Sequence, residues 1–285
     1  MSQARLMDGT ALARRIIEET GERAAGLTER TGTAPCLATV LVGEDPASVT
    51  YVRMKQNRCR TAGITSRHVA LPAATTTAEL VDTIEALSAD PGVHGILLQH
   101  PVGEHIDERA AFEAIAPGKD VDGVTFASFA TMSFGLPGFV SCTPGGIMRL
   151  LDAYRVDPAG KRALVVGRSA ILGKPVGMLL LGRDATVTYC HSRTRDLPAA
   201  VREADIVVAA VGRARLIRGQ DIKPGAVVID AGYNAGNVGD VDFDSAVERA
   251  SLITPVPGGV GPMTIATLLE QTVEAAARQL GVAEG

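Results

Sequence analysis

Ala163-Leu164-Val165-Val166-Gly167-Arg168-Ser169-Ala170-Ile171-Leu172-Gly173-Lys174-Pro175 decides the fold of this chain. Four apolar residues run into a glycine-punctuated turn, and a helix-like stretch follows. The turn reads Gly-x-Ser-x-x-x-Gly, which departs from the Gly-x-Gly-x-x-Gly dinucleotide fingerprint. Its physical setting is still that of a dinucleotide turn. A buried strand precedes it, its glycines let backbone come close to a ligand, and a helix N-terminus offers free N–H groups to a pyrophosphate.

Working outward, a strand over 186–190 leads into His191-Ser192-Arg193-Thr194. A nucleotide unit that takes NAD carries an acidic residue at the end of this second strand, for the ribose hydroxyls. Here a hydroxyl and a cation stand in that place. With Arg168 they suit a 2′-phosphate of about −1.5 to −2 charges, so NADP is expected over NAD. Further strands are read at 205–211, ending in Gly212, and at 226–230, ending in Gly232-Tyr233-Asn234. Another at 251–254 runs into Pro255-Val256-Pro257-Gly258-Gly259-Val260-Gly261-Pro262, a rigid-then-permissive loop that lets a ligand approach backbone. A last helix over 263–280 carries Ile265, Leu268, Leu269, Val273 and Ala276 on one side, and is expected to return to the first half of the chain.

The first half alternates strand and helix, which implies parallel strands with crossover helices. An apolar strand at 37–42 meets Gly43, Asp45 can cap a helix that starts at Pro46, and Gly63 ends it. Tyr51 and Lys55 share one face of that helix. A lysine in a cleft is a candidate proton carrier, because burial lowers an ammonium pKa. A buried strand at 93–99 ends in Gln99, and Gly118-Lys119-Asp120-Val121-Asp122-Gly123 follows a short helix. In open α/β sheets ligands lie beyond the carboxyl ends of strands. Gln99, Asp122 and the Tyr51/Lys55 helix all occupy such places.

The bulk properties set limits. At 285 residues, 46% hydrophobic and 21% charged, the chain has the composition of an ordinary globular protein with room for two domains. A net charge of −4 without a long basic run argues against a nucleic-acid surface. No apolar run approaches the roughly 18 residues of a membrane span, and the first residues hold no signal-like core. The four cysteines (Cys36, Cys59, Cys142, Cys190) lack a Cys-x-x-Cys pair, so neither a metal site nor a disulfide framework is expected. The cytosol is the expected compartment.

Seven blocks together resemble the bifunctional methylenetetrahydrofolate dehydrogenase/methenyltetrahydrofolate cyclohydrolase family. They are VGEDPASVTYVRMK (42–55), GILLQ (95–99), GKDVDG (118–123), CTPGG (142–146), VVGRSAILGKP (165–175), TVTYCHSRT (186–194) and TPVPGGVGPMT (254–264), in family order over nearly the whole chain. The resemblance implies an α/β protein of two domains flanking a cleft. A folate-binding catalytic domain would span 1–142, with the C-terminal helix (262–285) packing back on it. A Rossmann-like NADP-binding domain would span 143–261.

By the same resemblance, Lys55, Tyr51, Gln99 and Asp122 would be catalytic. Those four would also bind substrate, with Pro257, Gly258 and Gly259. Thr143, Gly167, Arg168, Ser169, Gly173, Ser192, Arg193, Gly212 and Tyr233 would meet the cofactor. The family's members use tetrahydrofolate as the one-carbon carrier, need no metal and are commonly homodimers. The chain departs from the family pattern at His100-Pro101-Val102-Gly103, at Thr125, Phe126, Ser128 and Ala130, at Asn57, and at Ser141. None of these is one of the four proposed catalytic positions.

Other readings of the same residues are a paralogue with one of the two activities, a dehydrogenase of another small metabolite, and a silent folate- or nucleotide-binding protein. Tyr-x-x-x-Lys also resembles the short-chain dehydrogenases. Their pair follows the nucleotide fold, whereas here it precedes the glycine turn by more than a hundred residues.

Overall fold

A computed structural model describes residues 3–282, with the backbone alone for residues 46–51. In chain order the elements are β1 (Arg5–Leu6), α1 (Gly9–Thr31), β2 (Cys36–Val42), α2 (Pro46–Thr61), β3 (Thr65–Leu71), α3 (Thr77–Ala89), β4 (Gly95–Gln99), α4 (Glu108–Glu113) and α5 (Phe126–Ser133). There follow α6 (Cys142–Ala153), β5 (Arg162–Val166), α7 (Gly173–Leu181), β6 (Thr186–Cys190), α8 (Leu197–Glu203), β7 (Ile206–Ala209), β8 (Val227–Asp230), α9 (Phe243–Ala246), β9 (Leu252–Ile253) and α10 (Val260–Gln279). The chain divides into two compact units.

One unit comprises 14–130, 138–140 and the residues from Ile265 onward. Its sheet has the order β3-β2-β4, all parallel. β2 is buried along its whole length, as a central parallel strand covered on both faces must be. The first residue of β4, Gly95, is required by packing: a Cβ there would lie 2.7 Å from a Val121 methyl. α3 buries Leu80, Ile84 and Leu87 on one face. Thr76 is its cap and forms the reciprocal box with Glu79 three residues on.

From Ile265 onward the final helix packs within this unit. Gln271 Nε2 donates to Val121 O at 2.8 Å and Val140 O at 3.0 Å, while its Oε1 accepts from Val140 N. Gln279 Nε2 reaches His94 O and Gly118 O.

The other unit comprises the residues through Ala13, 131–137 and 141–264. Its six-stranded parallel sheet has the order β1-β9-β8-β7-β5-β6. β6 lies on one side of β5, and β7, β8 and β9 lie on the other. The winding therefore reverses at β5/β7, the switch point beyond whose carboxyl ends ligands bind in such sheets. Leu164, Val166, Val207, Ala209, Val228 and Ile253 belong to one buried cluster.

One boundary differs from the sequence reading, for an identifiable reason. The chain start falls with the nucleotide-type sheet, because Arg5 and Leu6 pair with Leu252 and Ile253. A two-residue strand has no periodicity to read. α6 begins at Cys142, so Thr143-Pro144-Gly145-Gly146 form its first turns. Pro144 is tolerated there because a first-turn N–H has no partner within the helix. Gly146 is needed where a Cβ would come within 2.9 Å of Met263 Cβ. Among the described residues no helix is long and apolar enough to cross a membrane, and no group of three His, Cys, Asp or Glu could hold a metal.

Candidate active site

In the three-stranded unit, Lys55 rides on α2, which follows β2, and Gln99 ends β4, the strand beside β2. Val52 and Cys59 are buried, and Lys55 lies between them at helical spacing. That shared face makes Lys55 half-buried. Burial pushes the Cys59 thiol up to about 12, so Cys59 serves the face as a small apolar group. All four cysteines are buried and unbridged.

Lys55 Nζ donates to Gln99 Oε1 at 2.9 Å. Gln99 Nε2 donates to His100 O at 2.9 Å, which turns the amide so that its oxygen faces the lysine. Two of the predicted catalytic residues are therefore brought together, with the amide orientation fixed by the adjacent backbone. The side chain of Tyr51 lies outside the described residues.

Asp122 is half-buried and held from both sides. Upstream, the fully buried Val121 packs on Gly95 and gives its carbonyl to Gln271. Downstream, the fully buried Asp120 accepts from Val124 N (3.1 Å), Thr125 N (2.9 Å) and Ser128 Oγ (2.5 Å). Thr125 and Ser128, which break the family pattern, are thus local partners of Asp120. Asp120 and Gln271 are supporting residues that the sequence reading missed. The carboxylate pair in GKDVDG was a signal for the first, and nothing local marked the second. His100, another departure, packs edge-on against Phe112 with 6.2 Å between ring centroids.

The six-stranded unit builds the glycine turn as a close-packed cradle. Gly167 has φ +135°, and a Cβ there would lie 2.2 Å from Ala210 O. A Cβ at Gly173 would lie 2.6 Å from the Gly167 carbonyl group. Ser169 Oγ accepts from Leu172 N and Gly173 N, taking up two N–H groups at the start of α7. Gly167 N donates to Cys190 O, which joins this turn to the one after β6.

In that second turn His191 N donates to Thr194 Oγ1 and Arg193 N to His191 Nδ1. Ser192 and Arg193 are left exposed, as is Arg168. A narrow glycine cradle and two exposed cations beside a hydroxyl, with no carboxylate ending β6, fit a dinucleotide that carries a 2′-phosphate.

Of the remaining predicted residues, Thr143 and Tyr233 have side-chain partners. Thr143 Oγ1 lies 3.0 Å from Thr264 Oγ1. Gly212 has φ +64° with open space around its Cβ position. Tyr233 is exposed, its hydroxyl donating to Asn237 Oδ1. In the Pro257-Gly258-Gly259 loop, Gly258 O accepts from Thr10 N at 3.0 Å. A Cβ at Gly9 would fall 1.8 Å from Gly259 O. Gly9 therefore clamps this loop, a role its place in a helical stretch concealed.

Comparison with known proteins matches residues 7–122 to the family described as "Tetrahydrofolate dehydrogenase/cyclohydrolase, catalytic domain", and residues 141–280 to its "NAD(P)-binding domain". A protein named "Bifunctional protein FolD 1" from Streptomyces avermitilis is 80% identical over 98% of this chain and 97% of its own length. The solved bifunctional methylenetetrahydrofolate dehydrogenase/cyclohydrolase of Campylobacter jejuni is 44% identical with a TM-score of 0.94, covering 96% of this chain and 99% of its own. That of Trypanosoma brucei, solved with NADP and an inhibitor, is 40% identical with a TM-score of 0.94, covering 98% and 99%.

Proposed function

Because the chain belongs to the tetrahydrofolate dehydrogenase/cyclohydrolase family, we propose that it oxidises 5,10-methylenetetrahydrofolate with NADP and hydrolyses the methenyl product to 10-formyltetrahydrofolate. The observation that carries the reading is the Lys55–Gln99 contact of 2.9 Å at the carboxyl end of β4. NADP, when bound, supplies the hydride acceptor. No base need touch the one-carbon bridge in that half, since the flanking nitrogens stabilise the positive charge, and the chain's task is orientation.

The hydrolytic half moves protons. Water adds to the methenyl carbon and loses one proton; the hydroxyl so formed gives up its second proton as the carbonyl forms, the bond from that carbon to one ring nitrogen breaks, and that nitrogen gains a proton, so that one proton is released net. Lys55 is the group to carry the proton, held by Gln99 Oε1 so that Nζ keeps one place through these transfers. Asp122 would accept hydrogen bonds from the pterin, and Tyr51 would pack on it. Pro257, Gly258 and Gly259 would also meet substrate.

Gly167, Ser169 and Gly173 would hold the pyrophosphate, while Arg168, Ser192 and Arg193 would hold the 2′-phosphate. Thr143, Gly212 and Tyr233 would complete the cofactor contacts. A paired assay tests the function: NADPH appearance from methylenetetrahydrofolate, and separately the loss of methenyltetrahydrofolate absorbance. Absence of the first signal sinks the dehydrogenase half, and absence of the second the cyclohydrolase half.

The 2′-phosphate assignment makes its own prediction. Arg193→Ala removes a charge-assisted contact and should raise KM for NADP about tenfold, leaving KM for NAD unchanged. An equal rise for both cofactors would refute it. We also propose that the enzyme is a cytosolic homodimer. Light scattering should give a particle of two chains, and a single-chain mass would count against this.

A further inference from the structure

At the carboxyl end of β8 and in the loop that follows it, two aspartates lie inside the fold with no cation paired to either among the described residues. Asp240 is fully buried and Asp230 is 3% exposed. Asp240 accepts from three consecutive backbone N–H groups, those of Val211 (2.7 Å), Gly212 (2.9 Å) and Arg213 (2.7 Å). It also accepts from Asn234 Nδ2 at 3.1 Å. Its own N–H donates to Asp230 Oδ1 at 3.0 Å, and Asp230 further accepts from Gly232 N and Val241 N, each at 2.9 Å.

The backbone is wrapped closely around the pair. A Cβ at Gly232 would fall 2.2 Å from Asp240 Cγ, and one at Gly239 would fall 1.9 Å from Asp230 Oδ2. Burying carboxylates side by side without a cation is costly unless donors saturate them. Burial pushes the Asp230 carboxyl up to about 6, opposed by its three N–H donors and reinforced by the neighbouring Asp240.

The segment held by Asp240 is the one that abuts the glycine cradle. Ala210 N donates to Val166 O at 2.8 Å, and Ala210 O is the atom that leaves no room for a Cβ on Gly167. The position of 210–213 therefore sets one wall of the turn. The Tyr233–Asn234 stretch is tied to the same carboxylate through Asn234.

We propose that Asp240, backed by Asp230, is a positioning residue for the dinucleotide: its saturated carboxylate draws 211–213 inward and joins them to the 232–234 loop, fixing the wall against which the cofactor lies. Its oxygens are taken up by four internal donors, so Asp240 frames the wall and is not itself a ligand of the phosphates. It acts on the part of the site common to both cofactors, not on the 2′-phosphate.

The test is calorimetric titration of the full chain with NADP and, separately, with NAD. Asp240→Asn puts an NH2 group against backbone donors and should weaken both cofactors by the same factor, about tenfold or more. Asn234→Ala removes one of the four donors and should weaken both about threefold. Arg193→Ala, by contrast, should change the ratio of the two. Hydrolysis of methenyltetrahydrofolate by the same preparations reports whether each variant is folded. If Asp240→Asn fails to fold, Asn234→Ala decides alone. Folded variants with wild-type dissociation constants, or a loss confined to NADP, would overturn the proposal.

Discussion

Replacing Lys55 with Met is expected to lower cyclohydrolase turnover about a thousandfold, the scale of a lost general acid–base group. Met has nearly the length of Lys, so the α2 face made by Val52, Lys55 and Cys59 keeps its packing, and thermal stability should stay close to the parent's. What disappears is the group proposed to carry the proton, together with its hydrogen bond to Gln99 Oε1. Dehydrogenase turnover should fall much less, because hydride transfer asks for orientation and not for a proton acceptor at the reacting carbon. Both rates measured on one preparation make the check. A folded Lys55→Met enzyme that hydrolyses methenyltetrahydrofolate at the parental rate would remove Lys55 from the mechanism.

That prediction rests on residues legible in the sequence, and the reason is local. Lys55 lies nine residues beyond Pro46 on a helix whose start is marked by a turn, and Gln99 is the polar end of an apolar run. Element type and strand-end position are both carried by short-range patterns. The Gly167 turn was legible for the same reason, although it fails the regular expression, since strand, glycine and helix succeed each other within thirteen residues. What stayed hidden depends on residues far apart in the chain. Gln271 reads as a polar position on an amphipathic helix, yet its amide reaches Val121 and Val140. Asp240 stands in the acidic stretch Gly239-Asp240-Val241-Asp242, which reads as a solvated loop, and it is fully buried. Gly9 is unremarkable until Gly259 is placed against it. No window of sequence contains both members of these pairs.

Gly167→Ala should be the most damaging single methyl in the nucleotide-binding unit. Two penalties coincide there. The backbone has φ +135°, where an L side chain is strained, and the added Cβ would sit 2.2 Å from Ala210 O, a backbone atom that cannot rotate away. The turn cannot retreat cheaply, because Gly167 N is bonded to Cys190 O and Ala210 N to Val166 O. Relief of the clash must break one of these links between neighbouring strand ends. Strain and overpacking together should cost about 3 kcal/mol or more, and NADP affinity should fall at least about a hundredfold as the cradle opens. Gly160→Ala isolates the first penalty: Gly160 has φ +71° and nothing within 4 Å of its Cβ position. It should cost only about 1 kcal/mol, with NADP binding unchanged. Thermal unfolding and NADP titration of the two variants side by side separate strain from collision. Equal losses of stability and of NADP affinity in both would mean that contact between the Gly167 turn and Ala210 does not shape the site.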